Sequence, residues 1–298
     1  MESSEYAIET PYGVLEGVAA VEKGEDGFER VWLERENTLK TTLGPLVPKF
    51  GERDGRPSLV LRNGVLLEAE LERPLEVPTP AGLYRGDWVA FYPNGALESV
   101  GCRRHETPVL TFDLGYEPFA VAVAKLSFYR GGALREILFA EGAQAEVRPE
   151  PYWKIKTRFG LTVHETGQIH SLEPAYPVKA ITPCGTYDAY DPNAKQSAGG
   201  PWSLRFDTQA RITAVTTAGD RVYVRPISGV HYAAYAPDLS GERPVPLRLE
   251  FDYETEKALI VQPDGQEALY AFEDEFIIYP NAKLGCEASE CEACGLCD

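Results

Sequence analysis

The sequence predicts a mainly β protein, built from irregular antiparallel hairpin repeats that form an elongated sheet or open barrel in two related halves. Three observations predict it. Glycine and proline are frequent, at 27 and 23 of 298 residues, and alanine- or leucine-rich stretches of helical length are scarce. A Thr-x-x-Gly element repeatedly closes runs of alternating apolar residues. Asn-Gly, Gly-Gly and Asp-Gly pairs separate other such runs.

Dense glycine and proline suit many short strands joined by turns. The Thr-x-x-Gly element occurs as Thr10–Gly13, Thr41–Gly44, Thr79–Gly82, Thr157–Gly160, Thr182–Gly185 and Thr216–Gly219, with a looser copy from Thr111 to Gly115. A spacing of a few tens of residues is the mark of a repeat architecture. Thr favours a pleated, half-buried surface. The Pro that follows it in three copies cannot donate to a strand ladder and ends the strand. Gly then supplies the positive φ of a tight turn. Each copy reads as strand, sharp turn, next strand.

The second element places an aromatic pair before a glycine turn. Its best copies are Phe91-Tyr92-Pro93-Asn94-Gly95-Ala96-Leu97 and Phe128-Tyr129-Arg130-Gly131-Gly132-Ala133-Leu134. Asn63-Gly64, Gly167 and Asp264-Gly265 mark weaker copies. Such pairs between alternating apolar runs are hairpin turns. These cores resemble the signature of MORN-type repeats, in particular the bacterial MORN-like variant. The resemblance covers about seven residues per copy and lacks the wider glycine framework of that family. It implies stacked antiparallel hairpins that mediate protein contacts and are rarely enzymes by themselves.

The Pro-rich stretch Arg148–Pro151 suggests a break, since Lys154–Gly160 restarts the rhythm of Tyr6–Gly13. The expected organisation is a β-repeat half at 1–150, a second at 151–284 and a cysteine-rich tail at 285–298. Asp191–Pro201 reads as the longest irregular stretch. Ala19–Arg35 has helical length but carries Gly24 and Gly27, which disfavour a helix.

Net charge is −17, with no run of clustered Lys and Arg. Neither nucleic acid nor an anionic membrane surface is an expected partner, because each attracts clustered cations. The start, MESSEYAIETPYG, has no basic segment followed by an apolar core, so no signal peptide is expected. The longest clean apolar run, Phe119–Ala124, is too short to span a bilayer. A cytoplasmic location and reduced cysteines follow as expectations.

The strongest chemical signal is the run Cys286, Cys291, Cys294 and Cys297, spaced C-x4-C-x2-C-x2-C and holding four of the six cysteines. Two residues between cysteines let two thiolates converge on one ion or cluster. The run resembles ferredoxin-type ligand spacing, which implies an iron–sulfur cluster, [4Fe–4S] before other types. No proline follows the last cysteine and no second run exists, so ferredoxin function is not carried over. Zinc is the other candidate, though its four-cysteine sites normally join two knuckles a dozen or more residues apart. A ligand from a partner, or from Cys102 or Cys184, would relieve the crowding. Glu287, Glu290 and Glu292 raise the pKa of neighbouring thiols and disfavour free thiolate reactivity. A reduced tail without function, or one joined by disulfides, stays open.

His164-Glu165-x-x-Gln168-x-His170 departs from the HExxH zinc motif at the fourth position and in the spacing of the second His. It reads as strand and turn. His105 and His231 are isolated, and no nucleophile elbow, P-loop or dinucleotide fingerprint occurs. The sequence therefore favours an interaction or accessory protein with a protein partner and a metal-binding tail. A β-sheet enzyme acting on a small molecule or glycan, with the tail structural or redox-active, is the alternative.

Overall fold

Alternation of apolar and polar residues turns every second side chain toward a core. Leu247–Asp252 and Gln144–Glu150 bury alternate residues in this way. A computed structural model describes residues 7–280, except 26, 52–54, 104–105, 197–201 and 242. All its named elements are strands. Every strand pairing described is antiparallel, as a chain of hairpins requires.

The chain forms two units. The first comprises Met1–Leu114, Pro118–Ala143 and Val163–Gly167; the second comprises Gly115–Glu117, Gln144–Thr162 and Gln168–Asp298. Arg148–Pro151 lies within the second unit, where Glu150 pairs with Trp153 across a tight turn.

In the first unit a meander runs through Val18–Lys23, Phe28–Leu33, Leu59–Arg62, Val65–Thr79, Gly82–Phe91, Leu97–Gly101, Phe119–Phe128 and Leu134–Phe139. The segment Ala19–Arg35 is thus a hairpin, turning where Gly24 and Gly27 deny a helix. In the second unit a meander connects Ile169–Pro174, Leu204–Phe206, Ile212–Thr217, Leu247–Asp252, Lys257–Val261 and Glu267–Ala271.

Four Thr-x-x-Gly copies close hairpins, with Thr and Gly paired at Thr10↔Gly13, Thr41↔Gly44, Thr79↔Gly82 and Thr182↔Gly185. In each, the Thr hydroxyl donates to the Gly carbonyl at 2.7–2.9 Å and accepts from the amide two residues on at 3.2 Å. The residue two places after each Gly is fully buried: Leu15, Leu46, Tyr84 and Tyr187. The element therefore both turns the chain and aims one large apolar side chain at the core.

Two other copies fold differently. Thr157–Gly160 makes no turn: it lies inside the strand Trp153–Val163, and Thr157 and Arg158 stay paired with Ala145 and Gln144. Phe159 takes φ 66° instead, a local kink within the ladder. At Thr216–Gly219 the turn is shifted by one. Thr217 accepts from the Gly219 amide and donates to the Asp220 carboxylate, so a side chain does the work of the Gly carbonyl.

The glycine turns share another pattern. Gly95 donates to the Tyr92 carbonyl while Tyr92 donates to Ala96, and Gly132, Tyr129 and Ala133 repeat it. This is a tight turn with one bulged residue, the three-residue hairpin loop. The same bonds recur from Gln262 to Gln266.

Candidate functional site

Cys286, Cys291, Cys294, Cys297 and His105 lie outside the described residues. Among the described residues, no group of three or more His, Cys, Asp and Glu is placed to hold a metal ion. Cys102 is half-buried, and its Sγ lies 3.5 Å from the Glu106 carbonyl oxygen. Cys184 is buried, and burial above all pushes its thiol up to about 12, with Asp274 adding to the effect. It stays protonated at neutral pH, which disfavours it as a thiolate ligand. His164 opens the turn in which the Gly167 amide reaches its carbonyl. His170 sits on the strand Ile169–Pro174, its Nδ1 3.1 Å from Thr162 Oγ1. No helix aligns the two histidines, as the sequence led us to expect.

Several acidic side chains are buried, a placement that costs free energy unless each is hydrogen-bonded or paired. Glu173 accepts from Arg158 Nη2 and the Asp191 amide at 3.3 Å and from the Ser203 amide at 2.8 Å. It thereby ties the Asp191 and Ser203 backbones to the strand Ile169–Pro174. Burial is the largest influence on its carboxyl and raises its pKa, against the lowering effect of Ser203, Arg158 and Asp191. Glu136 pairs with Lys125 at 3.0 Å and accepts from Ser127 at 3.1 Å, and Ser127 meets Ser99 at 3.0 Å. Glu70 pairs with Arg103, whose guanidinium lies 4.2 Å from the centre of the Trp88 ring. The sequence did not single these groups out. Their one signal is a charged residue at an inward position of a strand, as at Glu136 in Leu134–Phe139.

Two surface features remain. In the first unit a groove of about 380 Å³ is lined by Pro80, Ala81, Thr111–Leu114, Ala133, Leu134, Val163, Glu165 and Gly167. Three turns build it: the Thr79–Gly82 turn, the Tyr129–Ala133 turn and the His164–Gly167 turn. Phe112 and Leu134 are buried beneath it, and Phe112 stacks on Phe119 with ring centres 5.5 Å apart. Asp113 and Glu165 are the charged lining residues, and both are exposed.

In the second unit Asp220–Arg225 pairs with Glu275–Pro280 and with Ala233–Tyr235. Arg221, Tyr223 and Arg225 alternate with the buried Val222 and Val224. Tyr279 lies opposite Arg221, Ile277 opposite Tyr223 and Glu275 opposite Arg225. Tyr223 and Tyr279 meet edge to face at 5.6 Å, and Arg225 lies over Tyr232 at 5.1 Å. Nearby in sequence, Ile227 and Val230 are 68% and 82% exposed. The strand Glu275–Pro280 ends six residues before Cys286.

Compared with known proteins, the chain matches no family model, no curated protein and no solved structure.

Proposed function

We propose that this chain is a cytoplasmic interaction or accessory protein, whose β scaffold docks a protein partner and whose run Cys286, Cys291, Cys294 and Cys297 holds a metal centre. An iron–sulfur cluster, [4Fe–4S] first, is the favoured occupant, and zinc is the alternative. The observation that carries the reading is the C-x4-C-x2-C-x2-C spacing itself. Its crowding suits a cluster better than a self-contained tetrahedral zinc site.

Two structural features support the scaffold part. Tyrosine and arginine, the residues enriched where proteins dock, are gathered on the outward face of Asp220–Arg225 and Glu275–Pro280, close in sequence to the run. The buried carboxylates Glu70, Asp87, Glu136, Glu173 and Asp220 are each tied to a partner. That arrangement fits a framework better than a pair of catalytic acids free to exchange protons.

Anaerobic purification followed by iron, acid-labile sulfide and zinc analysis tests the reading. Brown protein with stoichiometric iron and sulfide supports the cluster, and colourless protein retaining zinc supports the alternative. Protein without either metal, unchanged in behaviour when residues 286–298 are removed, sinks both.

A further inference from the structure

The groove in the first unit combines an apolar floor with one sign of charge. Pro80, Ala81, Phe112, Leu114, Ala133, Leu134 and Val163 supply the apolar surface. Asp113 and Glu165 supply the charge, and no Lys or Arg lines the groove. No ion pair involves either carboxylate among the described residues. Arg130 and Arg135, on and just beyond the adjoining turn, are engaged at Tyr92. One lies over its ring at 5.6 Å and the other donates to its hydroxyl at 3.3 Å. Gly131 leaves the backbone bare beside Glu165: a Cβ there would stand 3.3 Å from Oε1. The carboxylate is thus backed by main chain.

A groove of this volume is in the range that encloses a ligand of modest size. A free carboxylate beside apolar surface attracts a group that is both cationic and apolar. Lysine and arginine meet that description, since their methylene stems cover apolar surface while the charged head stays at the rim. We propose that the groove binds the lysine or arginine side chain of an apolar peptide segment in a protein partner. The stem lies against Pro80, Ala81, Leu114 and Ala133, above the buried Phe112, Leu134 and Val163, and the head group meets Asp113 and Glu165. The assignment of the partner to a protein rests on the interaction reading above; the groove and its charge are independent of the cysteine run.

The test uses the full chain and fluorescence anisotropy with three labelled peptides, Ala-Leu-Arg-Leu-Ala and its counterparts with glutamate or norleucine at the centre. The arginine peptide is expected to bind at least tenfold tighter than either counterpart. The double variant Asp113→Asn, Glu165→Gln is expected to lose at least tenfold in affinity with an unchanged circular dichroism spectrum. Glu267→Gln, an exposed acid of the other unit, leaves affinity unchanged. Equal binding of the three peptides, or full affinity in the double variant, overturns the proposal. So does competition by butylguanidine at the peptide's own affinity, which would assign the groove to a small cation. Chelator treatment of the full chain separates the two readings, because peptide binding persists whether or not the run holds metal.

Discussion

The hydroxyl of Tyr92 donates to the backbone carbonyl of Phe128, 2.7 Å away. Tyr129 repeats the relationship with Val163 at 2.8 Å. In each case the tyrosine that opens one glycine turn holds the strand residue just before the next turn. The bond links neighbouring hairpins through side chain and main chain, in addition to the ladder bonds. Tyr129→Phe removes one such bond, and Tyr92→Phe removes its counterpart together with the bond that Arg135 donates to the same hydroxyl. Tyr129→Phe is expected to cost about 1 kcal/mol, the ordinary net value of a neutral hydrogen bond, and Tyr92→Phe at least as much. Urea unfolding measures it, and a cost near zero for both would mean that the ladder alone sets the spacing of the hairpins.

Gly115 and Gly132 both take positive φ, 76° and 89°, yet they differ in what surrounds them. A Cβ on Gly132 meets nothing within 4 Å, whereas one on Gly115 collides with the carbonyl of Arg148. Gly132→Ala is expected to cost roughly 1–2 kcal/mol, the strain of left-handed backbone alone. Gly115→Ala adds a main-chain overlap and is expected to cost about 3 kcal/mol or more. Thermal unfolding of the two variants ranks them. An equal loss in both would show that the Arg148 contact yields at little cost.

Most of the fold was legible because turns are written locally. Thr182-Pro183-Cys184-Gly185 contains its own hydroxyl acceptor and donor, its own fixed φ and its own glycine, so the hairpin can be read from four residues. Thr157-Arg158-Phe159-Gly160 has the same letters but not the same outcome. Cross-strand partners Ala145 and Gln144 continue through it, and tertiary pairing overrides the local preference. Asp220 misled in the other direction, because a carboxylate replaced a glycine carbonyl as acceptor. The groove was not legible. Its lining comes from four separated segments, at 80–81, 111–114, 133–134 and 163–167, and only the register of the sheet brings them together. The buried acids were hidden by number, since 46 Asp and Glu leave no single one conspicuous.

If the cysteine run holds the metal, substitutions inside it and outside it separate cleanly. Cys291→Ser or Cys294→Ser is expected to lower bound metal severalfold, since a serine hydroxyl is a poor substitute for a thiolate. Cys184→Ser is expected to leave metal content unchanged, because the Cys184 thiol is buried and pushed up to about 12. Elemental analysis after anaerobic purification reads both. Metal lost with Cys184→Ser in a folded protein would place that thiol in the ligand set.

Glu173 gives the molecule a pH dependence whose sign follows from its surroundings. Burial raises its pKa in the folded chain above its usual 4.5. Below that usual value both folded and unfolded chains carry the proton, and the full contribution of the group to stability is present. As pH rises the unfolded chain releases its proton first, which favours unfolding until the folded-state value is passed. Wild-type stability relative to Glu173→Gln should therefore fall as pH climbs from about 4.5 toward neutrality. Asp220, also raised chiefly by burial, titrates in both proteins and cancels in the difference. Urea midpoints for the pair between pH 4 and pH 7 measure it. A flat gap would mean that the donors from Arg158, Asp191 and Ser203 balance burial, and a gap that widens in favour of the wild type with rising pH would mean that they outweigh it. In the second case Glu173 would be a stabilised carboxylate, anchoring Asp191 and Ser203 by its charge.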